Sequence, residues 1–235
     1  MRLNRGWELE AVARYRVAYR QDGPARWVGH LDIMRAFARA ARRARLPLAY
    51  SRGFNPRPRM SFAAPLPVGM QGGQEYVDLE LEEALPVEEV VHRLRETMPP
   101  GLQVLRVRRV PSDSPALMGI LDRVRYVCRG SLGSHLTLAE IEERLASFLA
   151  KGEILVVRRT GEKPRDIRPG IKSITARVDN GTISLVMELK AGSHGNVRPE
   201  EVLHALCEIM PIDPASFTIA RTALIAKDGK LLWDC

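Results

Sequence analysis

The chain of 235 residues is 45% hydrophobic and 27% charged, a composition that is typical of folded globular proteins and argues against a disordered chain. Its formal net charge of +8 comes from one segment, because residues 26–59 hold nine arginines, one aspartate and no lysine, while the rest of the chain is balanced. A local excess of positive charge attracts a polyanion to one surface. Arginine also favours bidentate phosphate contacts and stacking on bases.

Several classes of protein are not expected from this sequence. No run of 18 apolar residues is present and the N-terminus lacks an apolar signal core, which predicts a cytoplasmic protein with no membrane segment. Cys128, Cys207 and Cys235 are far apart and form no CxxC or Cys/His pattern, so incidental thiols are expected. Carboxylates and histidines do not stand at ligand spacing either. We therefore expect no cofactor and no metal.

The first half of the chain is predicted to contain four strands and two helices. The alternation of polar and apolar residues at 12–19 indicates a half-buried strand with Arg14 and Arg16 on its polar face. The remaining predicted elements are a helix at 31–45, strands at 47–50 and 75–82, a helix at 87–98 and a strand at 103–110. The order strand, helix, strand, strand, helix, strand is that of a ferredoxin-like unit.

The first predicted helix separates apolar from cationic residues. Its apolar arc holds Ile33, Met34, Phe37, Ala41 and Ala44. The opposing arc holds Arg35, Arg39, Arg42 and Arg43 together with Asp32. Arginines that stand together on a helix repel one another by a few tenths of a kcal/mol per close pair, roughly, so a bound anion would relieve this repulsion.

The loop after this helix combines arginines with aromatic residues. Prolines at 56 and 58 force their preceding residues into extended conformations, and Gly53 permits a turn. Arg57 and Arg59 would then point to one side of the chain. Arginines among aromatic residues suit unpaired bases, which stack on rings while guanidinium groups contact phosphates. The alternative is that Tyr50, Phe54 and Phe62 belong to the core.

An internal repeat relates the two halves of the chain. Residues 88–99 recur as 200–211, with eight of twelve positions identical. His92 and His204 lie at matched positions of this repeat, so we expect them to have the same structural role in the two halves. The other predicted elements of the second half are a strand at 123–129, a helix at 138–151 with Thr137 and Glu140 as a capping box, a strand at 153–159, a hairpin of 171–178 with 182–190, and a strand at 217–226. We therefore predict an α+β protein of two tandem ferredoxin-like βαββαβ halves, 1–112 with the arginine-rich helix and loop and 113–235 with an extra strand.

Four sequence motifs of the first half resemble those of the radical SAM-linked protein family. They are Gly29-His30-Leu31-Asp32, Arg39-Ala40-Ala41-Arg42-Arg43-Ala44, Leu46-Pro47-Leu48-Ala49-Tyr50-Ser51 and Gly53-Phe54-Asn55-Pro56-Arg57-Pro58-Arg59. Members of that family are fused to, or encoded beside, a radical SAM protein, sometimes near genes for ribosomal proteins and ribonucleases. The resemblance therefore implies two binding partners, a radical SAM protein and RNA. Gly29 stands where the family usually has serine, so the helix lacks a hydroxyl cap. The chain has no CxxxCxxC motif for a radical SAM cluster and resembles the companion.

Three functions are compatible with the sequence. The first is an RNA-binding accessory protein that positions tRNA or rRNA for the radical SAM partner. Its predicted contact residues are Arg26, Arg35, Arg39, Arg42, Arg43, Arg52, Arg57, Arg59, Tyr50 and Phe54. The second is a metal-independent endoribonuclease that uses His30, because the tandem architecture is similar to that of CRISPR repeat-processing endoribonucleases, although no second histidine or lysine stands beside it. The third is an interaction module whose arginines dock an acidic surface of the partner.

Overall fold

The computed structural model describes residues 13–132, 136–158, 163–192 and 195–235. The fold is α+β, as predicted, and its residues form two compact units. The first unit comprises residues 1–68 and 75–117, and the second comprises residues 69–74 and 118–235. None of the helices in the described ranges has the length and apolar character needed to cross a membrane.

The first half of the chain contains four strands and two helices, but its second strand lies at 60–62, within the predicted loop, instead of at 47–50, and the first four residues of its third strand are assigned to the second unit. The elements are β1 (Ala13–Gln21), α1 (His30–Arg43), β2 (Met60–Phe62), β3 (Gln71–Leu81), α2 (Val87–Thr97) and β4 (Leu102–Val110). The strand order is β4-β1-β3-β2, which is the ferredoxin-like arrangement. The predicted strand at 47–50 is reduced to single bridges of Leu48 with Leu81 and Tyr50 with Pro58.

The core of the first unit lies between its sheet and its helices. Tyr15, Val17 and Tyr19 alternate along β1 and are all buried, as the period of two requires. The ring of Tyr19 packs edge-on against Phe37 of α1, with the ring centroids 4.7 Å apart. This packing holds α1 by its apolar side, so the opposite side of the helix faces solvent.

The other face of β1 is also buried, which corrects the prediction of a half-buried strand. Arg16 is only 1% exposed, and its guanidinium donates to both carboxylate oxygens of Asp78, at 2.9 and 3.2 Å. Arg14 pairs with Glu80 at 3.3 Å. The prediction for Arg16 was wrong because alternation shows which side a residue points to, whereas the packing of the rest of the chain decides whether that side is covered.

The second unit follows the same plan. After the short helix α3 (Leu117–Ile120), its elements are β5 (Leu121–Ser131), α4 (Leu138–Ala150), β6 (Leu155–Val156), β7 (Arg165–Asp166), β8 (Ile171–Asp179), β9 (Thr182–Lys190), α5 (Pro199–Leu206) and β10 (Thr218–Ala226). The order β10-β5-β9-β8 is again ferredoxin-like. Two local predictions are confirmed: the Thr137–Glu140 capping box at the start of α4, and a turn with positive φ at Asn180 and Gly181.

The extra strand of the second half differs from the prediction. Only Leu155 and Val156 of the predicted strand at 153–159 are in a strand, and they pair with β7 in a separate two-stranded sheet. Arg159, at the end of that prediction, lies outside the described residues. The four-residue apolar run Ile154–Val157 contains the β-branched residues of a strand, but a run this short cannot specify its partner.

All three cysteines are free thiols. Cys128 on β5 is fully buried, and this burial raises the pKa of its thiol to about 12. Cys207 is partly buried, and loss of solvation raises its pKa as well. Because the thiolate is the reactive form, these raised pKa values make both thiols less reactive at neutral pH than an ordinary cysteine.

Candidate nucleic-acid interface

The solvent-facing side of α1 carries the four arginines predicted for it. Ile33, Phe37 and Ala41 lie on the buried side of the helix. The four exposed arginines are Arg35, Arg39, Arg42 and Arg43. The arrangement follows from the 3.6-residue period, because these positions fall within two adjacent stripes on the side away from the apolar residues. The predicted division of this helix into an apolar and a cationic side is therefore observed.

Among the described residues, only one of these four guanidinium groups is paired with an acid. Arg35 contacts Asp32 at 2.8 Å, and both side chains are more than half exposed, so this pair contributes only about 0.3–0.5 kcal/mol. Arg42 donates to the carbonyl oxygen of Ala38 at 3.3 Å, and Arg43 donates to that of Thr97. No acid of the described ranges lies within ion-pair distance of Arg39. These contacts orient the side chains and leave their positive charge uncompensated.

The end of α1 places a further arginine in a strained conformation. The amide of Arg45 donates to the carbonyl oxygen of Arg42, and that of Leu46 donates to Ala41, at 3.0 and 3.1 Å. These two bonds form a Schellman motif, in which the residue after the cap adopts a left-handed conformation and is usually glycine. Here that residue is Arg45, with φ of +52°. Its side chain is exposed, and Arg93 donates to its carbonyl oxygen at 3.2 Å.

The predicted arginine-aromatic loop is a closed hairpin that projects from the edge of the sheet. The amide of Ser51 donates to the carbonyl oxygen of Arg57 at 2.9 Å, and the amide of Arg57 returns to the Ser51 hydroxyl at 3.0 Å. Between them Arg52 and Phe54 are exposed, Phe54 completely so. Tyr50 at the base of the loop is 40% exposed. The loop is therefore a fixed structure with outward-facing cationic and aromatic side chains.

The hairpin follows the end of α1 closely in the chain. Leu48, three residues beyond Arg45, pairs with Leu81 of β3, and Tyr50 pairs with Pro58. Five residues of chain span at most about 18 Å, so the base of the hairpin lies within that distance of Arg45. The last turn of α1 and the base of the hairpin are thus separated by a short stretch of chain, and both expose arginines. We call α1, Arg45 and residues 50–59 the arginine surface.

Two further predicted contact residues, Arg59 and Arg26, have partners within the protein. Arg59 pairs with Glu80 of β3 at 2.9 Å, although its side chain is still 48% exposed. Arg26 stacks on the ring of Trp27, 4.7 Å from the ring centroid. Within the described part of the chain, Arg35 and Arg59 are the two of the nine arginines of residues 26–59 that pair with an acid. The local excess of positive charge seen in the sequence is therefore largely preserved in the fold.

His30 lies in an aromatic cluster at the start of α1. Its ring packs edge-on against Phe62, with centroids 5.3 Å apart, and Phe62 also contacts Tyr19 and Phe37. The alternative that the aromatic residues near the loop belong to the core thus holds for Phe62, while Tyr50 and Phe54 are exposed. The described residues contain no group of histidine, cysteine, aspartate or glutamate side chains able to hold a metal ion. The position of His30 is that of a packing residue that anchors the helix start.

A family model described as "Uncharacterized protein conserved in bacteria" (DUF2344) matches residues 14–199. The chain belongs to this family. The matched part of this DUF2344 member includes the whole arginine surface and most of the second unit. No curated protein matches the sequence.

Comparison with solved structures gives distant likenesses to this DUF2344 member. One is a chain of a Cbf5-Nop10-Gar1 complex, with 12% identity, a TM-score of 0.48, and coverage of 88% of this chain and 48% of that chain. The present chain thus spans about half the length of that one. Another is a putative glycine cleavage system transcriptional repressor, with 12% identity, a TM-score of 0.24, and coverage of 88% and 96%.

Two exposed residues of the segment 26–59 are missing from the contacts predicted from sequence. Arg45 is one of the nine arginines of the segment but is absent from the predicted contact residues. The sequence does indicate its unusual position, because a helix that ends at Arg45-Leu46-Pro47 has no glycine to end it. Trp27 is 61% exposed and follows a predicted contact residue directly. Its signal is weaker, because sequence alone gives no reason for a tryptophan to lie outside the core.

Proposed function

We propose that the chain is an RNA-binding accessory protein that positions tRNA or rRNA for a radical SAM partner enzyme in the cytoplasm. The observation that supports RNA binding is the arginine surface, where six of eight guanidinium groups have no acidic partner among the described residues. The resemblance to the radical SAM-linked protein family supports the partner. The affinity for RNA would come from arginine contacts with phosphates, and the selectivity among RNAs would come from contacts of the aromatic loop with exposed bases.

The chemistry of the surface suits RNA better than a generic anion. Guanidinium groups donate in a planar fork that matches two phosphate oxygens. The hairpin adds Phe54, whose ring is fully exposed, beside Arg52 and Arg57. A fully exposed phenylalanine is unfavourable in water, and stacking against an unpaired base would cover it.

Salt dependence of binding tests the phosphate contacts. With six arginines on phosphates, the log–log plot of affinity against salt should have a slope of about −4 to −5. We expect labelled tRNA and rRNA fragments to show this slope with the wild-type protein. A slope near zero would exclude the proposal.

A charge-matched pair of variants tests the location of the site. The triple variant Arg39→Glu, Arg42→Glu, Arg43→Glu should lower affinity for RNA by at least about a hundredfold at low salt, because three contacts become repulsions. The control carries the same charge change on exposed residues of the second unit, Lys172→Glu, Arg177→Glu and Lys227→Glu. Equal loss of binding in both variants would mean that net charge alone, and no local surface, attracts the RNA.

The partner is tested separately with the same variants. We expect the radical SAM protein to co-purify with the wild-type chain and with the triple variant on α1, because the arginines are assigned to RNA. If the wild-type protein purifies without nucleic acid and the triple variant no longer binds the partner, the surface docks a protein and the RNA proposal fails.

A further inference from the structure

Trp27 is held outside the core by a rigid turn. It ends a 3₁₀ turn at Gly23–Trp27, in which Ala25 is buried. Successive residues of such a turn are about 120° apart, so with Ala25 directed inward Trp27 is directed away from the core. The result is a tryptophan ring that is 61% exposed. Large aromatic side chains normally bury most of their area, so this exposure requires a separate explanation.

The turn has little freedom to bring the ring inside. The amides of Ala25 and Val28 donate to the carbonyl oxygens of Asp22 and Ala25 at 3.0 and 3.1 Å. The turn also packs against Gly101, where an added Cβ atom would lie 2.7 Å from the Asp22 oxygen. Because Gly101 has a φ of +85° and no space for a side chain, this contact needs a glycine. Trp27 is thus presented in a fixed position.

The ring of Trp27 has a cationic neighbour and precedes the first helix by a few residues. The guanidinium group of Arg26 lies 4.7 Å from the centroid of the Trp27 ring, which is a cation–π arrangement. Leu31, in the first turn of α1, is 66% exposed. It shares one stripe of the helix with Arg35 and Arg42, since these positions follow the i, i+4, i+7, i+11 spacing. A polyanion on those arginines would reach Leu31 about 16 Å along the helix from Arg42.

We propose that Trp27 stacks on an unpaired base of the bound RNA, with Arg26 contributing positive charge beside the ring. This inference rests on the proposed RNA-binding function and narrows its ligand to RNA that is single-stranded at this point. Every base has a π face, so the contact favours an unpaired nucleotide of any sequence. The uncompensated charge of Arg26 favours a phosphate-linked base over an apolar protein segment.

Affinities for matched oligonucleotides test the inference. The probes are fluorescein-labelled decaadenylate and an abasic oligonucleotide with the same number of phosphates, measured by fluorescence anisotropy. We expect Trp27→Ala to weaken decaadenylate binding by about tenfold and to leave abasic binding and the salt slope unchanged. Trp27→Phe should retain most of the affinity. The control is Leu155→Ala, which removes a 53% exposed leucine of the second unit. It should leave the affinity for both oligonucleotides unchanged.

A photochemical measurement keeps the inference testable even when Trp27→Ala does not fold. Irradiation of the wild-type protein with a 5-iodouridine oligonucleotide should give a cross-link at Trp27 that mass spectrometry can locate. Absence of that cross-link, or equal weakening of the two probes in Trp27→Ala, would overturn the inference while leaving the proposed function intact. Loss of the radical SAM partner with unchanged RNA affinity in Trp27→Ala would overturn it in favour of a protein contact. A wild-type protein that binds tRNA or rRNA fragments but neither probe would also overturn the inference, whereas one that binds none of these RNAs would refute the proposed function itself.

Discussion

Replacing Arg45 with glycine should stabilise the protein and weaken its RNA binding at the same time. Arg45 has a φ of +52° at the end of α1, a conformation that costs an L-residue about 1–2 kcal/mol. Glycine adopts it freely but loses more entropy on folding. The net gain should be about 1 kcal/mol, which raises the melting temperature of a chain of this size by about 2–4 °C.

The same substitution removes one guanidinium from the arginine surface. If Arg45 contacts a phosphate, the log–log salt slope should become less negative by about 0.7–0.9, and the affinity at low salt should fall about fivefold for a loss of roughly 1 kcal/mol. A residue with only a structural role would not give these opposite effects. Thermal unfolding and fluorescence anisotropy over a salt series measure them.

Two further variants separate strain from charge. Arg45→Ala removes the guanidinium and keeps the strain, so it should weaken RNA binding without raising the melting temperature. Asn180→Gly changes the other non-glycine residue of positive φ in the described ranges, in the turn between β8 and β9. It should leave RNA binding unchanged. If Arg45→Gly binds RNA as tightly as the wild type, Arg45 does not contact the RNA. If Arg45→Gly melts at a lower temperature than the wild type, the backbone of Arg45 is not strained.

The remaining predictions concern the scaffold. Asp78→Asn should lower the free energy of unfolding by about 3–5 kcal/mol in urea titrations, because it leaves a buried arginine without its counter-charge, whereas the exposed Asp32→Asn should cost under about 0.5 kcal/mol. Hydrogen bonds from the backbone and side chain of Thr137 lower the pKa of Glu140, so the capping box stabilises the fold above pH 4.5 and this stabilisation is lost as the pH falls through the lowered pKa. Thr137→Ala should therefore reduce the melting temperature more at pH 7 than at pH 3, and equal reductions would contradict this assignment. A thiol reagent at pH 8 should modify Cys128 only at the rate of global unfolding, whereas the exposed Cys235 should react at once; rapid labelling of Cys128 itself, located by peptide mass spectrometry, would show that its thiol is accessible.

The sequence was most informative where one short segment specifies both structure and chemistry. The period of α1 predicted its buried side from Ile33 and Phe37 and its exposed side from Arg39 and its neighbours. The repeated helix predicted that the two units share one fold, because identical spacing of apolar residues requires the same kind of packing. The capping box at Thr137 was equally local.

The sequence was least informative where the answer depends on distant parts of the chain. The covered second face of β1, which buries Arg16, could not be read from the alternation of that strand. Leu155 and Val156 were recognised as strand residues, but their partner is set by the tertiary fold. The exposure of Trp27 depends on the close approach of Gly101, which is far away in the sequence. The strain at Arg45 could be inferred only after the end of the helix was known.

The closed hairpin of residues 51–57 has a consequence for the kinetics of ligand association. Its ends are joined by two hydrogen bonds between Ser51 and Arg57, and prolines at 56 and 58 fix the backbone on the returning side. A ligand therefore meets a loop that is already ordered and does not have to supply the entropy of folding it. Encounter with RNA should accordingly be a single fast phase whose rate rises as ionic strength falls, with no slower rearrangement after it.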